Sequence, residues 1–221
     1  MLFCAQCDIQ TAFCHMECPA ALRGYFGLDG ATAADVGAAH VQGQRVSPAT
    51  WVRPRLRVIP MGWSWSLFLC QRVHERAVES EGLERKDRVV DGQVAPSLAE
   101  GQLHTEYVDN FAALALRPEV ATSWMRSVQR RLISLGLPVH DIEEATSDIK
   151  LLGWSIDGVS GVLVPTRERA WRLRLGLLEI LRRGHASGRD VERLLGHATF
   201  IALLRRESLP VFASVYAFVR A

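Results

Sequence analysis

Lysine is nearly missing from this 221-residue chain: Lys86 and Lys150 are the only two, so its positive charge is carried by arginine. An excess of either charge is missing as well, since 26 Lys and Arg against 24 Asp and Glu leave a formal net charge of +2. The arginines crowd residues 165 to 206. Guanidinium suits bidentate phosphate contact, which is compatible with nucleic acid, but a charge this modest also fits a solvated helix face. No run of 18 apolar residues is free of charge, which excludes a helical membrane span. The opening MLFCAQCDIQ has neither a basic n-region nor a cleavage site, so no signal peptide is expected, and a soluble, intracellular protein is. No internal repeat is present. The length suits one large domain, or a domain with a helical appendage.

Cysteine is the compositional distraction. Cys4, Cys7, Cys14 and Cys18, with His15 among them, have the outline of a zinc site. A strand over Leu2 to Gln10 would send Cys4 and Cys7 to opposite faces, with no Gly or Pro between them to turn the chain. Buried reduced thiols are the better reading, for Cys70 as well.

The stretch His104 to Leu116, HTEYVDNFAALAL, reads as two short strands around a polar tip at Asp109-Asn110. Asp and Asn tolerate the positive φ of tight hairpin turns, so turn chemistry alone explains the pair. A sharper reading needs a second acid on another strand end, because two-metal phosphoryl transfer takes oxygen ligands from more than one segment. Asp8, at the end of the first strand, supplies it.

The other elements follow from periodicity. Residues 27 to 50 read as a loop insertion, and Trp51 to Ile59 as an edge or bulged strand with one wet, positive face. Pro60-Met61-Gly62 is a turn, and Ser64 caps a helix whose stripe of Trp65, Phe68, Leu69, Val73 and Ala77 is expected in the core, with Gln71, Arg72, Glu75 and Arg76 exposed. Residues 79 to 103 read as a long, partly disordered exposed loop. Pro118 opens a helix lined by Val120, Trp124, Val128, Leu132 and Leu135 and ended by Gly136. Residues 149–156 and 161–164 read as a hairpin around Asp157-Gly158. From Thr166 onward come about three amphipathic helices: one striped by Trp171, Leu175, Leu178 and Leu181, a second starting at Ser187 or Asp190, and a third over 208 to 219.

With Asp8 in CDIQTAF, Pro60 to Gln71 in IPMGWSWSLFLCQ, Tyr107-Val108-Asp109-Asn110, LISLGL and LLGWSI in this order, the chain resembles the reverse transcriptases of retroelements. The resemblance implies an α+β fold: an antiparallel, ferredoxin- or RRM-like palm sheet backed by helices over 1–164, with insertions at 27–50 and 79–103, then a helical thumb- or connection-like subdomain over 165–221. It implies RNA-directed DNA synthesis by two-metal nucleotidyl transfer with Mg²⁺ or Mn²⁺. Asp8 and Asp109 would be catalytic; Asp8, the carbonyl of Ile9, Asp109 and Asn110 would hold metal. Phe13, Met61, Gly62 and Gln71 would bind nucleotide, with the Phe13 ring excluding a 2′-hydroxyl. Tyr107, Arg167 and Arg174 would contact nucleic acid. The implied partners are a primed RNA or DNA template, deoxynucleoside triphosphates, and the fingers, RNase H or integrase segments of a polyprotein; no membrane is implied.

The chain departs from the family pattern in three places. Asn110 stands where the family has a second acid, and a missing anion ~4 Å from a divalent ion forfeits on the order of several kcal/mol at an effective dielectric near 20. The chain begins just ahead of the first motif, so the fingers are expected to be absent. His140-Asp141-Ile142 occupies the region of a family lysine, and His140 reads as a strand-edge residue or as a stand-in for that lysine. A non-catalytic retroelement remnant that binds nucleic acid is the alternative reading. A small zinc module at Cys4 to Cys18 is the other rival.

Overall fold

The computed structural model describes residues 1–98 and 101–220. Its central strand is β1 (Phe3–Ile9), in which Ala5, Cys7 and Ile9 turn inward while Gln6 and Asp8 stay partly exposed, as a period of two demands. On one side it pairs antiparallel with β3 (Asn110–Ala115) and on the other with β4 (Val139–Thr146); β2 (Gln102–Tyr107) pairs antiparallel with β3 at the edge. The sheet order is β2-β3-β1-β4. Two helices connect these strands, α1 (Ser64–Glu79) before the hairpin and α2 (Pro118–Ser134) after it. The chain thus runs β-α-β-β-α-β within one compact unit, Phe3–Thr146. Met125, Val128 and Leu132 of α2 bury against Phe111, Ala5 and Cys7, and Pro118 sits in the first turn of the helix, where its missing N–H costs nothing.

Several elements differ from expectation for physical reasons. The buried face of α1 is Ser66, Cys70, His74, Glu75, Ala77 and Val78, whereas Trp65 and Phe68 are 58% and 53% exposed. Small side chains let the helix approach the hairpin closely enough to hydrogen-bond its backbone. Ser64 is the first helical residue and caps nothing; Ser66 instead donates its hydroxyl to the Pro60 carbonyl at 2.7 Å. Glu75 is buried among partners. Residues 51–59 form a strand only at Trp51–Val52 and then continue as isolated bridges, Gly27 with Arg55 and Glu17 with Val58, because Pro54 has no N–H to extend a ladder. Within 79–103, the described residues run beside β2: Arg88 bridges His104, Val89 N–H bonds the His104 carbonyl at 2.8 Å, and Leu83 and Asp87 are buried. Ala99 and Glu100 lie outside the described residues.

The second compact unit is Met1–Leu2 with Ser147–Ala221. It opens with a three-stranded antiparallel meander, β5 (Asp148–Leu151), β6 (Trp154–Asp157) and β7 (Val162–Pro165). IKLLGWSI is therefore two strands, turned at Leu152-Gly153, where both residues have positive φ. Helix α3 (Arg167–Arg183) ends on left-handed Gly184, and α4 (Gly188–Ala202) begins with Ser187 and Asp190 capping each other's backbone. Gly176 lets the two helices meet, since a Cβ there would lie 2.4 Å from Leu194. A 3₁₀ segment (Leu203–Phe212) and α5 (Ala213–Arg220) complete the unit. On α3 the stripe of Trp171, Leu175, Leu178 and Leu181 is exposed; Leu173, Leu177 and Ile180 instead line an apolar cavity of about 720 Å³ shared with α4 and the last helices. No helix among the described residues is long and apolar enough to cross a membrane.

Candidate active site

Asp8 is the next-to-last residue of β1, opposite Asn110 of β3 on one side and His140 of β4 on the other. The β2–β3 connection is Val108-Asp109, one residue earlier than turn chemistry suggests, which leaves Asn110 as the first residue of the strand. The carbonyl of Asp109 accepts the Ile9 N–H at 2.9 Å, so both acidic residues belong to one end of the sheet. Their proximity is felt at Asp8. Burial first and the like charge of Asp109 second raise its carboxyl above the ordinary range; His140 opposes this and Asp141 adds to it. His140 Nε2 lies 3.8 Å from Asp8 Oδ1, and its Nδ1 lies 3.2 Å from Asp141 Oδ2. Asn110 donates its amide N–H to Asp109 Oδ1 at 2.9 Å, so the position that could supply a third anion instead steadies the second.

The hairpin tip is strained and clamped. Val108 has φ +58°, a left-handed conformation that a β-branched side chain adopts only under constraint. Helix α1 provides that constraint. Gln71 accepts the Val108 N–H through Oε1 at 2.7 Å and donates Nε2 to the Glu106 carbonyl at 3.0 Å. The Val108 carbonyl accepts from His74 Nδ1 at 3.0 Å and from the Cys70 thiol at 3.5 Å. A carbonyl only accepts, so the His74 proton sits on Nδ1. Burial, the main cause, keeps that ring below the usual histidine range and hence neutral. Behind the clamp, Glu75 is held below the ordinary carboxylate range: burial acts to raise it, but hydrogen bonds from Gln71 and Arg72 and the charges of Arg88 and Arg72 outweigh burial. His104 and Glu106 form a buried pair at 2.9 Å, and His104 also bonds the Glu84 carbonyl at 3.0 Å.

Asp8, Ile9, Asp109 and Asn110 therefore lie at one end of the sheet, with Tyr107 exposed beside them. Phe13 lies on a single helical turn, Ala12–His15, half-buried against the core. Met61 is exposed, and Gly62 has φ +96° with open space where a Cβ would project. Gln71 has its amide committed to the hairpin. Arg167 and Arg174 belong to the second unit, where the Arg174 guanidinium lies 4.9 Å from the Trp171 ring. Sequence reasoning passed over His74 and the clamping role of Gln71; the signal for His74 was the spacing of Cys70, His74, Ala77 and Val78 on one helical face.

Cys4, Cys7, Cys18 and Cys70 are buried and Cys14 is exposed; burial is the chief cause that pushes Cys4, Cys7 and Cys70 up to about 12. Among the described residues no group of three or more His, Cys, Asp or Glu side chains is placed to hold a metal ion. The carboxylates of Asp8 and Asp109, with amide and peptide oxygens beside them, are nevertheless hard-oxygen donors of the type that suits a divalent cation.

No family model matches the sequence, and no curated protein matches it. Solved structures do. The foamy viral protease-reverse transcriptase in complex with an RNA/DNA hybrid aligns over 99% of this chain and 24% of its own, with a TM-score of 0.62 at 12% identity. The foamy viral protease-reverse transcriptase dRH in complex with double-stranded DNA aligns over 90% of this chain and 27% of its own, with a TM-score of 0.55, again at 12% identity. The chain spans about a quarter of the length of these proteins. Its fold is reverse-transcriptase-like, α+β with an antiparallel sheet and several helices.

Proposed function

We propose that the chain is the palm of a retroelement reverse transcriptase with thumb-like helices, acting in RNA-directed DNA synthesis from deoxynucleoside triphosphates. The β-α-β-β-α-β order and the sheet order β2-β3-β1-β4 support a ferredoxin- or RRM-like palm. The observation that carries the reading is the convergence of Asp8 and Asp109 on one sheet end, close enough for Asp109 to raise the Asp8 carboxyl. Asp8 and Asp109 would hold Mg²⁺ or Mn²⁺, with the Asn110 amide oxygen and the Ile9 carbonyl as neutral ligands. Bound there, the ions supply Lewis acidity toward a primer 3′-hydroxyl and toward triphosphate oxygens. Phe13 screens the sugar pocket against a 2′-hydroxyl, and Met61-Gly62 leaves room for a nucleotide. His140, paired opposite Asp8, would stand in for the lysine of the family pattern. Tyr107, Arg167 and Arg174 contact the template and primer, and further segments of a polyprotein complete the enzyme.

The second reading is a non-catalytic remnant that binds nucleic acid. The Asn110 amide favours it, because it leaves two carboxylates where the family pattern has three. Primer extension on an RNA template with Mg²⁺ decides between them. Extension by the full chain, lost in Asp8→Asn and in Asp109→Asn, supports the polymerase. No extension by the chain or by Asn110→Asp, each joined to the fingers segment that completes the enzyme, supports the remnant.

A further inference from the structure

The segment WVRPRLRV carries chemistry that the candidate active site does not use. Trp51, Arg53, Arg55 and Arg57 are exposed, and the alternate residues Val52, Pro54, Leu56 and Val58 are half-buried. The alternation survives although the regular strand stops at Val52, because backbone bonds keep the segment extended. Leu28 N–H bonds the Pro54 carbonyl at 2.9 Å, Leu56 N–H bonds the Phe26 carbonyl at 2.9 Å, and Cys18 N–H bonds the Arg57 carbonyl at 2.8 Å. At the ~3.3 Å rise of extended chain, Arg53 and Arg55 stand about 6.6 Å apart, and the chain bends at Arg57.

Their charge is largely uncommitted. Among the described residues no carboxylate forms an ion pair with Arg53 or Arg55; Arg57 reaches Glu17 only at 3.4 Å, and Glu17 already binds Arg23 at 2.6 Å. Aromatic surface accompanies the charge. Trp51, in line with the arginines, is 68% exposed, and its indole lies on Gly30, where a Cβ would come within 2.4 Å of Nε1. Arg55 reaches over Gly24, whose neighbour Tyr25 is 82% exposed.

We propose that this face is a binding track for single-stranded nucleic acid, with Arg53, Arg55 and Arg57 on successive phosphates and Trp51 and Tyr25 stacking on unpaired bases. Guanidinium forks match phosphate oxygens, and an exposed ring in line with them offers a platform that a duplex, whose bases are already stacked, cannot use. An acidic protein would satisfy the arginines but leave the rings without a role. The track involves neither Asp8 nor Asp109; it rests on the nucleic-acid reading above and adds a surface for the unpaired strand.

The test is fluorescence anisotropy of the full chain with a labelled oligouridine of about 12 nucleotides, titrated over a range of salt in EDTA. Because the titration contains no free metal and reads no chemistry, a chain that fails primer extension can still pass it. Arg53→Gln with Arg55→Gln is expected to weaken binding and to lower the slope of log K against log salt by about 1.4, roughly 0.7 for each lost phosphate contact. Trp51→Ala is expected to weaken binding about tenfold with the slope unchanged, and Trp51→Phe to restore most of it. Circular dichroism establishes that each variant is folded. An unchanged slope in the double arginine variant overturns the proposal. So does a Trp51→Ala protein that binds oligouridine, its duplex form and polyglutamate as the parent chain does, which would mark a general polyanion surface instead.

Discussion

Replacing Gln71 with Ala is the sharpest test of how the hairpin is held. The side chain makes three hydrogen bonds: from Val108 N–H at 2.7 Å, to the Glu106 carbonyl at 3.0 Å and to Glu75 at 3.1 Å. Each is worth about 1 kcal/mol net, and the two backbone groups left behind are partly buried, so a loss of about 3 kcal/mol is expected. For a protein of this size that lowers Tm by roughly 6–12 °C. The clamp also opposes the left-handed strain of Val108, about 1–2 kcal/mol for a residue with a Cβ. Val108→Gly removes that strain but adds unfolded-state entropy and deletes a packed side chain, so it should fall within about 1 kcal/mol of the parent. In the Val108→Gly background, Gln71→Ala should cost about 1 kcal/mol less than it does alone. Thermal unfolding followed by circular dichroism reads all four proteins. A Gln71→Ala protein melting within about 2 °C of the parent would refute the clamp.

Three further outcomes follow from the site and the core. The folded-state pKa of Asp8 lies above the ordinary aspartate range, so the ionised carboxylate penalises the fold at neutral pH, and the penalty fades as pH falls from the raised folded-state pKa through the unfolded one. Asp8→Asn should therefore raise Tm at neutral pH and lose the gain in acid; a lower Tm at neutral pH contradicts this. The folded-state pKa of His74 lies below 6.5, so the unfolded chain takes up a proton that the folded chain refuses, and stability should fall as pH drops below that value. Urea midpoints between about pH 7.5 and about pH 5.5 check it, and His74→Asn should flatten the dependence. Among the thiols, Cys14 should react rapidly with a disulfide reagent in the native protein, while Cys4, Cys7, Cys18 and Cys70 wait for unfolding; rapid release of more than one thiol would count against the buried assignments.

The strands that carry the candidate residues were legible from local composition. Asp8 and Tyr107 to Asp109 sit at the ends of short strand-forming runs, and Pro118 and Gly136 mark the limits of α2. The position of the hairpin turn was not legible. Local chemistry favoured Asp109-Asn110 because those residues tolerate positive φ, yet the strained residue is Val108, held by Gln71 and His74 from a helix more than 30 positions earlier. The orientation of α1 misled for a related reason. Trp65, Phe68 and Val73 make the bulkier stripe, but a helix that must bond the hairpin backbone turns its small and polar face inward. Residues 84–89 looked like solvent-exposed chain because their order comes from backbone bonds to β2, which composition does not record. His140 joined the site through strand pairing, since its register opposite Asp8 depends on the bulges of β4.

Asp8 and Asp109 are proposed to act as one cation site. Mn²⁺ binding to the full chain, followed by electron paramagnetic resonance, addresses it directly, using Asp8→Asn, Asp109→Asn and the double variant. A shared site predicts saturable binding by the parent chain, lost in either single variant, with the double variant no weaker than the singles. Undiminished binding by either single variant would contradict it.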